Sequence, residues 1–346
     1  MKDLDFYLQK AVKNNATDIF IIAGKPVSAR IDREIVPIDD EKLKSTDTVQ
    51  LIEAIYTKAY KTFKSGNGNL DEELAFSVQD LSRFRVSVFK QKGSPSAVLK
   101  VLGTDIPTAE KLGIPEKVMS VADMTRGLVL LSGAPSNGIS STLAAIIDRM
   151  NKTRQIHIIT IEETIEFVYK SDKAIISQRE LTSDTFSYMS AIKASMRQSP
   201  DVVVLNSFKN NELVDFALDM AEIGYLVIAT VQRLGAVNTI NQVINQFPEE
   251  EEAEIALKLS NVIRAVVSQQ LIPTTDNRII PAFDMLIETD ELRKAITDKD
   301  FNTLNKAMLN TESPKIMSMN HYLEKLLNDG VISQQTYRRK KLNILK

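Results

Sequence analysis

The chain has 346 residues, of which 43% are hydrophobic and 25% charged, a make-up typical of folded protein in roughly two or three domains. Its formal net charge of −2 gives no global pull toward nucleic acid or an anionic membrane. Cysteine is absent and histidine occurs only as His157 and His321, which excludes disulfides and thiolate metal centres and makes an imidazole zinc site untenable, so no metal ligand is assigned.

In chain order, LDFYLQKAVKNN reads as a helix with Leu4, Leu8, Ala11 and Val12 near one face. Its charged, amphipathic start lacks the apolar core of a signal peptide. DIFIIAG and VSARIDREIVPI each read as a strand across a Gly-Lys-Pro turn, and TVQLIEAIYTKAYKTF as a second helix. LAFSVQ, SRFRVSVFKQ and SAVLKVL then suggest three antiparallel strands, with turns at Gln79-Asp80 and Gly93-Ser94-Pro95. This segregation predicts an α+β domain over 1–102. The Pro- and Gly-rich stretch 103–122 is expected to be a linker.

From 123 the pattern changes to strand–helix alternation: GLVLLSG, STLAAIIDRMN, IHIITIEE, DTFSYMSAIKASMRQ, DVVVLNS, ELVDFALDMAEIG and YLVIATVQ. Strands apolar on both faces with helices between them imply a mainly parallel sheet covered on both sides, expected over 123–290. EEEEAEIALKLSNVIRAVVSQQLI is expected to begin a helical region that continues through 291–346, with one strand at RIIPAFDMLI. No run approaches the ~18 apolar residues of a spanning helix, so a cytoplasmic protein is expected.

The chemistry-bearing stretch is LVLLSGAPSNGISSTLAAIID, residues 128–148. A phosphate-binding loop reads G-x-x-x-x-G-K-[ST], its backbone N–H groups and helix N-terminus cradling an anion while the lysine adds charge at the outer phosphates. Here Gly133 and Gly138 keep the spacing and Ser140 keeps the hydroxyl, but Ile139 stands where the lysine belongs. Read alone, this is either a disabled nucleotide site or a plain connection capped by Ser140 or Ser141.

The blocks that follow narrow the choice: HIITIEETIEFVYKSDKAIISQREL, SAIKASMRQSPDVVVLNSFKNNE and AEIGYLVIATVQRLGAVNTINQVINQFP, together with ATDIFIIAGKPVSARID, SRFRVSVFKQKG and SMNHYLEKLLNDGVIS. Along essentially its whole length the chain resembles the PilT family, the hexameric RecA-like motors that retract type IV pili. The resemblance implies a PAS-like α+β N-terminal domain before a RecA-like P-loop core. It implies ATP or ADP with Mg²⁺ as cofactor, and a nucleotide site formed by Gly133, Ser136, Asn137, Gly138, Ser140 and Ser141, with Arg83 and Arg85 reaching across a ring interface. Lys92 and Lys100 stand where arginine is common in the family.

The same resemblance exposes the departures. In the acidic box IEETIEF, Glu162 and Glu166 match, Glu166 in the general-base position, while Glu163 and Thr164 replace aspartate and proline. In PDVVVLNSFKN, Ser207 replaces the Walker B glutamate, and serine cannot supply the charge that helps hold Mg²⁺. Tyr225 and Gln232 replace two histidines, and neither accepts a proton near pH 7. Ser136 replaces an inner glycine. The expected reading is a ring-forming pseudo-ATPase, homomeric or mixed with an active paralogue, acting on the inner-membrane pilus platform without nucleic acid. Two alternatives stay open: a working retraction ATPase using Glu162, Glu166, Arg83, Arg85 and Arg197, and a sensor that binds nucleotide without cleaving it. His157 in IHIIT reads as packed rather than ligating, the acidic run 249–252 as a solvated helix start, RRKKLNILK as a solvated tail, and Phe84, Phe89 and Tyr188 as core or interface aromatics.

Overall fold

Leu4, Tyr7, Leu8 and Ala11 recur at helical spacing and are all buried, which fixes the inward face of α1 (Leu4–Lys13). Asp3 starts that helix by accepting a hydrogen bond from the Phe6 amide at 2.8 Å. The structure, a computed structural model, describes residues 2–32, 34–63, 70–102, 106–181, 183–309 and 313–342. They fall into two units: Met1–Asp105 with Glu166–Val168, and Ile106–Ile165 with Tyr169–Lys346.

In the first unit, β1 (Asp18–Ile21), β2 (Pro26–Ile31), β3 (Glu34–Lys42), α2 (Ser45–Lys58), β4 (Asp71–Val78), β5 (Ser82–Gln91) and β6 (Ser94–Leu102) follow α1. The strands form one antiparallel sheet in the order β3-β2-β1-β6-β5-β4. VSARIDREIVPI is not one strand: it breaks after Ile31, with Asp32 in the left-handed region at φ 49°, and β2 pairs back on β3. Aspartate tolerates that conformation, so a hairpin sits where an unbroken apolar alternation suggested extension. Along β5 the buried residues are Ser82, Phe84, Val86 and Val88. The period of two therefore puts Arg83, Arg85 and the half-buried Phe89 on the face away from the core.

The second unit begins with the segment expected as a linker. Residues 103–105 lie outside the described residues, whereas α3 (Ala109–Leu112), α4 (Glu116–Met119) and a 3₁₀ turn over Ser120–Asp123 are packed structure. Val118, Met119, Val121 and Ala122 are buried in the core on one side of the second sheet. Prolines and glycines mark the starts and stops of these short turns, and their apolar runs are too short to register as elements.

Next come β7 (Gly127–Ser132), α5 (Ile139–Thr153), β8 (His157–Glu162), β9 (Ile175–Glu180), α6 (Tyr188–Ser195), β10 (Val202–Leu205), α7 (Asn211–Ile223), β11 (Leu226–Val231), α8 (Ala236–Asn245), α9 (Glu252–Val262), β12 (Ile263–Pro273) and β13 (Ile279–Ile287). α10 (Asp290–Thr297), α11 (Phe301–Ala307), β14 (Ile316–Met317), α12 (Met319–Asn328) and α13 (Gln334–Lys340) complete the described chain. The sheet is mixed, in the order β14-β13-β12-β7-β11-β10-β8-β9. Strands from β12 to β9 in that order are parallel, and β13 and β14 are antiparallel additions. Leu128 and Leu130 of β7 enter one core and Val129 and Leu131 the other. That two-sided burial explains the unbroken apolar run, each such side chain contributing about 1.5–3 kcal/mol.

The expected long helix after residue 249 is corrected here. It ends at Val262, and IRAVVSQQLIP becomes β12, parallel to β7 in the middle of the sheet. No glycine or proline announces the change, but the β-branched residues suit a strand, and a slot beside β7 decides it. Glu252 and Glu254 lie in the first turn of α9, and Glu249, Glu250 and Glu251 are exposed before it. Of the basic tail, Arg338 to Lys340 end α13, and residues 343–346 lie outside the described residues.

One buried carboxylate ties two helix starts to β13. Asp284 accepts from the amides of Ala236 and Met319 at 3.0 and 3.1 Å, and burial pushes its pKa up to about 6. The unfolded value is about 3.9. Between those two values the folded chain keeps a proton that the unfolded chain has lost, so stability falls as pH rises through that window. Above about pH 6 the loss is complete. Relative to Asp284→Asn, the wild-type chain should lose about 2–3 kcal/mol of unfolding free energy between pH 4 and 6 in urea titrations. Parallel pH curves for the two proteins would contradict this.

Candidate functional site

β7, β11, β10 and β8 run parallel, so their carboxyl ends share one edge of the sheet, where ligands bind in open α/β folds. Ser132 ends β7, and Gly133 turns the chain under β12: a Cβ there would sit 2.8 Å from the Gln269 carbonyl oxygen. The loop then passes through Ser136, held at φ 65°, to Gly138 at φ 80°, which precedes the first turn of α5. A side chain at Gly138 would be strained and would meet Gln269 Nε2 at 3.0 Å. The two spaced glycines thus serve close backbone approach and left-handed geometry.

Gln269 staples this loop to the sheet. Its buried amide donates to the Asn137 carbonyl oxygen at 2.9 Å and accepts from Thr142 Oγ1 at 2.5 Å. Asn137 Oδ1 accepts from the Leu271 amide at 3.2 Å, and the Asn137 amide donates to the Ala134 carbonyl oxygen at 3.2 Å. Ser140 and Ser141 stand half-buried in the first turn of α5. Ile139 does not reach outward. It packs on the core beneath α5, and its Cγ1 and Cδ1 lie 3.0 Å from where a Gly133 Cβ would be.

Along the same edge, Glu162 ends β8 and accepts from Thr160 Oγ1 at 2.6 Å and Gln178 Nε2 at 3.3 Å. Glu163 is exposed beside it. Glu166 is exposed in the short segment Glu166–Val168 that divides off with the first unit. Past β10, Asn206 Oδ1 accepts from Thr230 Oγ1 at 3.1 Å, and Ser207 is buried. Tyr188 opens α6 with its ring against the core, and its phenol lies among Ser207, Glu162 and Glu163. Burial, and then the charges of Glu163 and Glu162, hold that phenol well above its ordinary pKa.

Gln232 follows β11 beside the loop, where the Val231 carbonyl oxygen accepts from the Gly133 amide at 3.2 Å. Tyr225 does not join it. Tyr225 precedes β11, its carbonyl oxygen accepting from the Gly127 amide at 2.9 Å at the amino edge of the sheet, a strand length of about 20 Å away. Arg197 is exposed just before β10, also at the amino edge. His157 lies at that edge too, its ring nitrogens 3.0 Å from the Gln198 carbonyl oxygen and 2.9 Å from Ser177 Oγ, a satisfied histidine. In the first unit, Arg83 Nη1 donates to Ser77 Oγ at 3.2 Å, and Arg85 pairs with Glu73 at 2.8 Å. Among the described residues no group of three or more His, Asp or Glu is placed to hold a metal ion, and no helix is long and apolar enough to cross a membrane.

The model of the type II/IV secretion system protein family matches residues 1–312. The chain is 32% identical over 339 residues to the type IV pilus retraction ATPase PilT of Pseudomonas aeruginosa, covering 98% of each chain. It is 31% identical over 329 residues to the type IV pilus ATPase PilU of the same organism, covering 95% of this chain and 86% of that one. The chain belongs to the PilT family of type II/IV secretion ATPases. A crystal structure of the pilus retraction motor PilT with bound ADP matches it with a TM-score of 0.87 at 32% identity, covering 99% of this chain and 98% of that one. One feature of this PilT-family chain escaped the sequence: Gln269 lies in a run with a helical pattern, where the polar pair Gln269-Gln270 inside an apolar stretch is the available signal. Tyr188, expected as a core or interface aromatic, packs its ring against the core.

Proposed function

We propose that this protein is a catalytically degenerate PilT-type ATPase, a ring-forming accessory or regulatory component of type IV pilus and twitching machinery. In this reading the second unit is a RecA-like core and the first a PAS-like domain. The protomers form a hexamer, alone or mixed with an active paralogue, peripheral to the inner-membrane pilus platform. The observation that carries it is Ile139: the side chain that should carry charge to the outer phosphates is apolar and folded back against Gly133. Ser207 adds to it, because a serine after β10 leaves no carboxylate there to order Mg²⁺ and its water.

The loop residues fit a nucleotide in part. The glycine spacing, the helix start and Ser140 suit an anion, whereas the Asn137 amide is already bonded to Ala134. A second reading, a sensor that binds ATP or ADP without cleaving it, is favoured by the backbone of the same loop. Ser136 and Gly138 hold left-handed conformations immediately before the first turn of α5, Ser136 at a cost of order 1–3 kcal/mol for a non-glycine residue.

ATP hydrolysis and nucleotide binding, measured together on the assembled protein, test the assignment. The expected result is no turnover with weak binding. Turnover abolished by Glu166→Gln would overturn it and establish an active retraction ATPase.

A further inference from the structure

The segment that follows α13 is held by two buried side-chain amides. Gln270 of β12 donates to the Lys340 carbonyl oxygen at 2.9 Å. Asn320 of α12 accepts from the Leu342 amide at 2.7 Å and donates to the Leu342 carbonyl oxygen at 3.0 Å. Leu342 turns its side chain inward onto a small core that includes Met319 and Leu323. There it lines the cavity beside Asp284, and its Cδ1 lies 3.6 Å from where a Cβ on Gly235 would be. Gly235, at φ 92°, precedes the first turn of α8. Little else holds the segment. α13 has seven residues, none of them buried, and a helix that short is not stable by itself. Arg338, Arg339, Lys340 and Lys341 are consecutive cations, and the ion pair that reaches them among the described residues is Lys341 with Glu324, at 3.7 Å. Like charges therefore repel along it. Three hydrogen bonds and one apolar side chain make a local attachment, weaker than the cohesion of a whole unit.

We infer that residues 340–342 are a releasable strap, through which this end of the chain holds the start of α8 and the turn after β11, beside the glycine loop. The line of contact is short. Leu342 covers Gly235, whose amide donates to Ser268 Oγ at 2.7 Å, and the next amide, of Ala236, donates to Asp284 at 3.0 Å. One turn further, Thr239 Oγ1 donates to Ser132 Oγ at 2.8 Å, and Ser132 precedes Gly133. The turn itself enters from Val231, whose carbonyl oxygen accepts from the Gly133 amide at 3.2 Å. Release of the strap uncovers Gly235 and opens the cavity beside Asp284 to water. An anionic partner that draws the four cations away favours that release. The device does not depend on nucleotide binding, so it stands or falls separately from the readings above.

Hydrogen exchange on the full chain tests it, in the wild type, Asn320→Ala and Leu342→Asp, read at the Gly235 and Ala236 amides with and without low urea. Both amides are bonded to side chains rather than to the helix ladder, so they report on this contact. They should exchange through an opening that low urea does not accelerate, because local release exposes little surface, while amides 128–131 of β7 respond steeply to urea. Asn320→Ala should speed exchange at Gly235 and Ala236 about 10- to 100-fold, the worth of two hydrogen bonds, with urea still without effect. Leu342→Asp should act in the same direction. Equal urea dependence at Gly235 and in β7 would overturn the inference, since the segment would then leave only when the unit unfolds. Exchange at Gly235 and Ala236 that neither substitution changes would also overturn it, since the segment would then hold nothing. Alanine is a good helix former, so Asn320→Ala keeps α12 and carries the test if Leu342→Asp fails to fold.

Discussion

Ile139→Lys should raise affinity for ATP about 10- to 100-fold and still give no measurable hydrolysis. A charge-assisted hydrogen bond is worth about 1.5–3 kcal/mol, and lysine in the first turn of α5 restores that group at the terminal phosphate. The gain is tempered because lysine sits poorly against a helix N-terminus and loses the packing that Ile139 makes beneath α5. Turnover should remain absent, because Ser207 still offers no carboxylate. Calorimetric titration with parallel phosphate-release assays decides the matter. An unchanged affinity would place any nucleotide site away from this loop. The appearance of turnover would mean that Ile139 alone disables the chain and that Ser207 is tolerated.

The sequence was most informative where one face or both faces of an element had to be buried. The alternation in SRFRVSVFKQ and the unbroken run GLVLLS each match the burial that the structure gives them. It was least informative where the deciding contact is remote. IRAVVSQQLIP continues a helical pattern without a breaker, and its pairing with β7 on one side and β13 on the other makes it a strand. The stretch 103–122 carries turn residues that read as a linker, yet Ile114, Val118, Met119, Val121 and Ala122 are buried in runs too short to show a period. At the site, spacing located Gly133, Gly138 and Ser140, because a phosphate loop is written locally. Gln269 lies 127 residues from its partner Thr142, beyond the reach of any local motif. Motif matching also grouped Tyr225 with Gln232, although they stand at opposite ends of β11.

Gln269→Ala should destabilise the second unit by about 3–5 kcal/mol. Truncation removes an amide that meets two elements at once, leaving the Asn137 carbonyl oxygen and the Thr142 hydroxyl without partners, each at about 1–3 kcal/mol. A void in the middle of the sheet adds to that. Gln269→Met keeps most of the volume and isolates the polar share, so it should cost about 2–3 kcal/mol. Urea unfolding of both variants separates the two contributions, and a loss below about 1 kcal/mol in Gln269→Ala would mean that water replaces the amide at both contacts. The consequence for the loop is specific. Thr142 lies in α5 and Asn137 in the loop before it, so this one side chain sets the loop against the helix that follows. Releasing it should free the Ser136–Gly138 backbone from its left-handed conformations. If the loop is held in that shape to take phosphate, Gln269→Met should weaken nucleotide binding more than its cost in stability implies. If the loop is only a connection, stability alone should change.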